Sequence, residues 1–148
     1  MQIRKGKPED VSAALQLIKE LAEFEKAPEQ VTNTEAQMLE DGFGKNPVFR
    51  MLVAETEEGI IGIAIYFLKY SSWKGKGIYL DDIVVNEKFR GQGVGKKLFE
   101  AVKAEAIEEG CKQLHWQVLD WNEKAIHFYK KFNSEFDAEW INCKLHFN

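Results

Sequence analysis

The sequence predicts an α/β fold in which one mixed sheet carries helices on both faces. Three observations predict it. Apolar residues recur at helical spacing after Pro8, β-branched runs fill residues 49–85, and two further helix-like stretches flank a strand-like run at 112–119. Together they predict the order β-α-α-β-β-β-α-β-α-β-β within a single domain of residues 1–148.

The first elements are one short strand and two helices. Residues 2–5 form the strand, and Pro8 then suits the first turn of a helix that runs to about Glu25. A second, shorter helix covers Thr34 to Asp41 and stops at Gly42. The apolar face of the first helix consists of Val11, Ala14, Leu15, Ile18, Leu21 and Ala22.

Three strands and a helix make up the middle of the chain. The run "FRMLVAETEEGIIGIAIYFLKY" predicts two strands around a turn at Glu57 to Gly59, and the next strand spans Gly77 to Val85. A helix follows from Gly93 and ends at Gly110. Its apolar stripe consists of Val94, Leu98, Val102 and Ala106.

The last part of the chain is predicted to add a strand, a helix and two closing strands. "KQLHWQVL" alternates as a strand does. Asn122 is a suitable N-cap for a helix through "EKAIHFYKKF". The closing strands are expected around Glu135 to Ala138 and Trp140 to Phe147.

Composition and charge exclude several classes of function. The net charge of −4 gives no general attraction to nucleic acid, and the longest apolar run, "GIIGIAIYFL", is too short to span a bilayer. Cys111 and Cys143 lie far apart and form neither a disulfide framework nor a zinc site. We therefore expect a cytoplasmic protein without a metal, a nucleic-acid partner or a membrane partner.

The segment "RGQGVG" at residues 90–95 is the strongest motif in the chain. It lies between a strand and the first turn of a helix, where backbone N–H groups have no intrahelical partner. Glycines let a bulky anion such as a phosphate approach this backbone, although the segment could also be a plain turn that opens a helix. The spacing fits neither a Walker A loop nor a dinucleotide fingerprint.

Two motifs together resemble the GNAT N-acetyltransferases. Arg90-x-x-Gly93-x-Gly95 follows a β-branched strand, and "DWNEKAIHFYKKF" comes some thirty residues later. A narrower resemblance, to the diamine (spermidine/spermine) and thialysine acetyltransferase branch, rests on "LIKELAEFE", "LEDGFG", "SSWKGKGIYLDDIVV" and "DWNEKAIHFYKK". The resemblance covers most of the chain and implies the GNAT fold, acetyl-CoA as acetyl donor and a homodimer.

The resemblance also implies a set of residues that bind acetyl-CoA. The glycine-rich loop would hold the pyrophosphate, and the preceding strand would pair with the pantetheine arm. Asn122 would contact the same molecule, or act only as an N-cap, or do both. The implied residues are Ile83, Val84, Val85, Arg90, Gly91, Gln92, Gly93, Val94, Gly95, Lys96, Asn122 and Ala125.

Two catalytic residues follow from the same resemblance. Tyr129 would be the general acid, since a phenol can protonate the thiolate that acyl transfer expels. Spacing alone favours a different role for Tyr129, an aromatic packed on the apolar face of a helix beside Ile126 and Phe132. Asp81 would accept the proton of the attacking amine, because an amine that arrives protonated is not a nucleophile. Its alternative is a solvated or salt-bridged carboxylate, and strand alternation predicts that only one of Asp81 and Asp82 faces the cleft.

The implied acceptor is a small primary amine, a diamine, polyamine or thialysine-like compound, acetylated directly in a ternary complex. Its candidate contacts are Phe24, Glu25, Trp73 and Asp82, and Trp73 could instead pack on the sheet. Ser71 stands where the resembling polyamine enzymes carry an aspartate, so one cation-binding carboxylate is missing. Two alternatives stay open: a non-catalytic sensor module that binds acyl-CoA, and a protein N-terminal acetyltransferase.

Overall fold

The computed structural model describes residues 1–147, which form two compact units, the first ending at Trp116 and the second starting at Gln117. The first unit contains one sheet of strands β1 (Gln2–Lys5), β2 (Arg50–Thr56), β3 (Gly59–Ser71), β4 (Gly75–Val85) and β5 (Gln113–Trp116). Its helices are α1 (Val11–Phe24), α2 (Glu35–Phe43) and α3 (Val94–Glu108). The second unit contains α4 (Glu123–Lys130). The prediction of one domain over the whole chain stays a prediction.

The sheet is mixed, as predicted. Its strands lie in chain order, and the first four pair antiparallel while β4 and β5 pair in parallel. The pairing of β5 with β4 covers Gly77 to Leu80 alone. From Asp81 onward, therefore, this edge of β4 has no strand partner among the described residues.

Helices cover both faces of the sheet, which confirms the predicted layers. Ile63 and Ile65 of β3 point to one face and belong to a buried cluster with residues of α1 and α2. The intervening positions point to the opposite face, where α3 lies. At Gly62, an added Cβ would meet Val94 and Leu98 at 3.2 Å, so α3 packs closely on β3 there and a side chain would require these two residues to shift by a few tenths of an ångström.

Polar contacts tie the second half of α3 to the sheet. The hydroxyl of Tyr66 on β3, which is almost fully buried, donates to Glu105. Arg50 at the start of β2 binds Glu105 at 2.7 Å and also binds Glu109. These contacts, together with the apolar face of α3, fix the direction of the helix and hence the position of its N-terminus.

The two closing strands predicted for residues 135–138 and 140–147 are wrong. A β-rich composition gives a strand only where a neighbour completes the hydrogen-bond ladder, and these residues form no ladder in the described structure. Their hydrogen bonds are isolated ones instead, such as the Glu139 N–H donating to Asp137 and the Gln117 side chain donating to Asn142. Strand β5 is consequently an edge of the described sheet.

Smaller boundary differences have simple causes. Strand β4 starts two residues earlier than predicted, because Lys76 and Gly75 continue the ladder with β3. Strand β5 ends at Trp116 instead of residue 119, where its pairing with β4 ends. None of the described helices is long and apolar enough to span a membrane.

Candidate active site

The glycine-rich loop between β4 and α3 leaves its backbone uncovered. Gly91 and Gly93 have φ values of +79° and +82°, which favour glycine, and no atom lies within 4 Å of a Cβ built on either residue. Gly93 is the N-cap of α3. The N–H groups of the first helical turn have no partner within the helix. An uncovered helix start of this kind fits the predicted diphosphate.

Arg90 joins this loop to two neighbouring elements. Its Nε donates to the backbone oxygen of Val85 at 3.1 Å, and its guanidinium lies 5.6 Å from the centre of the Phe24 ring. Arg90 therefore fixes the path of the chain as it leaves β4, next to the end of α1. Gln92 similarly donates to the backbone oxygen of Lys88, and Lys96 is exposed in the first turn of α3.

Beside this loop, the end of β4 has an edge that pairs with no strand among the described residues. Val84 is buried in the core, and Ile83 and Val85 are half-buried. On one side these residues pair with β3. On the other side β5 has already ended at Trp116, so no strand in the described part of the chain pairs with this edge, to which the resemblance assigns an extended, amide-bearing molecule.

Three carboxylates interact where β4 parts from β5. A bulge pairs Leu80 with Tyr66 and Asp82 with Ile65, so Asp81 is the extra residue. Burial, followed by the charges of Asp81 and Glu25, raises the pKa of Asp82 to about 7. Burial also raises the pKa values of Asp81 and Glu25. These like charges near a strand edge form a site that attracts a cation and can accept a proton near neutral pH.

An aromatic and basic cluster continues from the carboxylates along the same face of the sheet. The Phe67 and Tyr79 rings are 5.3 Å apart, and His115 meets Tyr79 edge-on at 5.2 Å. Lys69 Nζ lies 2.6 Å from His115 Nδ1 and 5.4 Å from the Tyr79 ring centre. The sequence analysis missed this cluster, because its members become neighbours only through the register of β3, β4 and β5.

Trp73 does not join these groups. It lies in the turn between β3 and β4 and is 91% exposed, so it does not pack on the sheet. Asp82 is nine positions further along the chain, and the seven strand steps from Gly75 to Asp82 correspond to about 23 Å. Ser71 supports this turn by accepting the N–H groups of Trp73 and Lys74.

The second unit carries the remaining predicted residues on α4. Asn122 is the N-cap, and its side-chain oxygen accepts the Ala125 N–H at 3.1 Å. Tyr129 is half-buried, its ring meets Phe128 edge-on at 5.1 Å, and its backbone oxygen accepts from Ser134. Asn133, just after the helix, has φ +57°, the left-handed conformation that closes a helix and that asparagine tolerates.

Comparison with known proteins shows the family of the chain. Residues 14–133 match the model of the acetyltransferase (GNAT) family. The chain belongs to this family. Its members use acetyl-CoA, which supplies an activated acetyl thioester, and the chain is an N-acetyltransferase. That the glycine-rich loop and the end of β4 bind this donor stays a prediction.

Two relatives show which branch of the family is similar. The chain is 40% identical to a thialysine N-epsilon-acetyltransferase from Bos taurus over 97% of its own length and 90% of the relative's. It is 36% identical to a spermidine/spermine N(1)-acetyltransferase-like protein 1 from Homo sapiens, over 86% of this chain and 19% of that protein.

Solved structures confirm the fold. A Bacillus halodurans protein superposes with a TM-score of 0.81 at 20% identity, covering 99% of this chain and 100% of that one. An aminoglycoside N-acetyltransferase in complex with CoA gives a TM-score of 0.73 at 19% identity, covering 98% of this chain and 99% of that one.

Proposed function

We propose that the chain transfers the acetyl group of acetyl-CoA to a primary amine of a small molecule, a diamine, a polyamine or a lysine analogue, within a ternary complex. The observation that carries this proposal is the carboxylate group of Glu25, Asp81 and Asp82 beside the open end of β4. An amine with a pKa near 10 arrives as a cation, and these groups attract it and take its proton.

The similar proteins support this class of acceptor. The bovine relative is named for thialysine, a lysine analogue, and the human relative for spermidine and spermine. Ser71 is occupied by the β3–β4 turn and supplies no charge for a second ammonium group. This favours acceptors with one ammonium group at the carboxylates over long polyamines.

In the proposed reaction, Asp81 and Asp82 act as a pair. Asp82 has the pKa best matched to neutral pH, so it holds the proton from the amine. Burial keeps that pKa high, and the charge of Asp81 raises it further. This reverses the emphasis of the sequence analysis, in which Asp81 was the base and Asp82 a substrate contact. Phe24 and Glu25 border the same site at the end of α1.

Tyr129 is proposed as the general acid. It would carry a proton on its phenolic oxygen and deliver it to the departing sulfur, since a phenol with a pKa near 10 remains protonated at neutral pH. Asn122 and Ala125 on the same helix are proposed contacts of acetyl-CoA, in addition to their N-cap hydrogen bond.

The proposed function is tested by thiol release from acetyl-CoA with a panel of diamines, lysine analogues and aminoglycosides. We expect turnover with the first two groups. Tyr129→Phe should lower kcat about 100-fold with CoA affinity unchanged, while Tyr70→Phe, at an exposed position on β3, should leave kcat unaltered. Tight CoA binding without thiol release for any amine would favour a sensor module. Unchanged turnover in Tyr129→Phe would leave Tyr129 a packing role.

We further propose a cytoplasmic homodimer. Both cysteines, Cys111 and Cys143, are free, as suits a reducing compartment. The segment after α4 exposes large apolar side chains that a second copy could cover. They are Phe136, Trp140, Ile141, Leu145 and Phe147. Light scattering after size exclusion should give twice the monomer mass of 17.1 kDa, and a monomer at micromolar concentration would contradict the proposal.

A further inference from the structure

The aromatic and basic cluster contains two groups of the same potential charge in contact. Lys69 Nζ and His115 Nδ1 are 2.6 Å apart, and both side chains are on exposed residues. None of the ion pairs between described side chains involves either residue. Because neither basic group has a carboxylate partner among these ion pairs, the two groups together can attract an anion.

The contact also fixes which hydrogen-bond donors the pair presents. A lysine ammonium can only donate, so Nδ1 of His115 accepts and the ring proton lies on Nε2. Lys69 retains two further N–H bonds. The Lys69–His115 pair therefore offers donors from two side chains, a combination that suits the two oxygens of a carboxylate.

The position of the Lys69–His115 pair relative to the carboxylates bears on which substrates the site can bind. His115 is opposite Tyr79 in the sheet, and the bulge at Asp81 places Asp82 two ladder positions beyond Tyr79, about 7 Å along the strand. Lys69 is four ladder positions from Asp82, about 13 Å along the strand. The ring of Tyr79 contacts both members of the pair, and burial, followed by the charges of Asp81 and Asp82, raises the pKa of Tyr79. One face of the sheet is thus basic at one end and acidic at the other.

A molecule with an amine at one end and a carboxylate at the other matches this pattern. In an extended lysine-like chain the carboxylate carbon and the terminal nitrogen are separated by about 8 Å. A hydrogen bond at each end adds reach of about 3 Å. With the amine at Asp82, the carboxylate then falls beside the Lys69–His115 pair.

We infer that Lys69 and His115 form a carboxylate subsite that selects ω-amino acids over diamines of the same length. The inference rests on the proposed function and narrows its substrate class. Lys69 and His115 are specificity-determining residues here and take no part in the proton transfers assigned to Asp82 and Tyr129. Burial and the charge of Lys69 lower the pKa of His115, which keeps the ring neutral and in the donating form described above.

The test compares the binding of three ligands of equal length in the presence of CoA, which carries no acetyl group to transfer. Lysine and 6-aminohexanoate have a carboxylate, and cadaverine does not. Dissociation constants come from NMR titrations that also follow the side-chain nitrogens of His115. We expect both carboxylate ligands to bind about tenfold tighter than cadaverine and to shift the Nε2 resonance of His115.

Variants of Lys69 separate recognition of the carboxylate from general effects. Lys69→Met should remove the tenfold preference and leave cadaverine binding unchanged, and Lys69→Arg should keep most of the preference. Lys74→Met, which removes an exposed lysine in the neighbouring turn, should have no effect. Equal affinities for the three ligands in the unaltered chain, an equal loss for all three in Lys69→Met, or binding of none would overturn the inference.

The outcomes also distinguish this inference from the proposed function. Acetylation of amines with no preference for a carboxylate would refute the subsite alone. A preference that is lost in Lys69→Met, with no acetyl transfer to any amine, would refute the proposed function and leave the subsite standing.

Discussion

The acid–base behaviour of Asp82 sets the pH dependence that we predict at the scale of single residues. Activity requires ionised Asp82, so kcat/KM should rise with pH through an apparent pKa of about 7. In Asp82→Asn, kcat/KM should fall about 100-fold and this limb should disappear. The measurement is a pH–rate profile with a lysine analogue as acceptor.

Asp81→Asn is the matched control for that profile. The charge of Asp81 raises the pKa of Asp82, so removing it should move the limb to lower pH while activity persists. A limb that stays in place in Asp81→Asn, or that survives in Asp82→Asn, would assign the titration to another group.

The ionised carboxylate of Asp82 should also lower the stability of the folded chain. The pKa of Asp82 is about 7 in the folded chain and near 3.8 when unfolded, so the folded state binds this proton more tightly. Its stabilising contribution is present at low pH and is lost as pH rises through 7. Asp82→Asn should therefore raise Tm by about 5 °C at pH 8 and by less at pH 5. As a control, Asp120→Asn at an exposed position should change Tm equally at both pH values. A change in Tm for Asp82→Asn that is equal at pH 5 and pH 8 would contradict this account.

At the scale of elements, one ion-pair network joins β1, β2 and the start of α1. Arg4 binds Asp10 at 2.8 Å and Glu55 at 3.0 Å, and Asp10 also accepts the Lys7 N–H. Asp10 is 8% exposed, and Arg4 holds the pKa of its carboxyl below the usual range. The network positions the helix whose far end carries Phe24.

Removing Arg4 should leave the buried carboxylate of Asp10 without its cationic partner. We expect Arg4→Met to lower the free energy of unfolding by about 3 kcal/mol, measured by urea denaturation at pH 7. Lys5→Met, an exposed position on the same strand, should change it by less than about 0.5 kcal/mol. Equal effects of the two substitutions would show that the network does not stabilise the fold.

Elements whose sequence pattern agrees with their surroundings were predicted well. Helix α1 shows a clear apolar stripe, and β2 to β4 are long and rich in β-branched residues, so their existence and order were confirmed. The run from residue 135 to 147 also alternates apolar with polar residues, yet it forms no strand. The composition of a segment indicates whether it can form a strand. Whether a neighbouring strand is present to pair with it depends on the tertiary structure, which the segment alone does not determine.

Across the whole molecule, the sequence predicted best those parts of the site that lie close together in the chain. Asp81, Asp82 and the glycine-rich loop are within sixteen residues, so one strand–loop–helix unit places them. The like-charge interaction with Glu25 and the Lys69–His115 contact depend on helix packing and strand register. Neither of these two interactions can be read directly from a single sequence. The residues on α4 stay predictions.

CoA binding by matched glycine variants, measured by calorimetry, tests the central claim most directly. Four glycines have positive φ and open space where a Cβ would stand: Gly59, Gly91, Gly93 and Gly110. Two of them are in the loop before α3, and two are in turns elsewhere. Alanine at each pair should cost similar stability. We predict that Gly91→Ala/Gly93→Ala weakens CoA binding about tenfold or more, while Gly59→Ala/Gly110→Ala retains the affinity of the unaltered chain. Equal affinities for the two double variants would contradict the claim that the uncovered backbone of this loop holds the diphosphate of CoA.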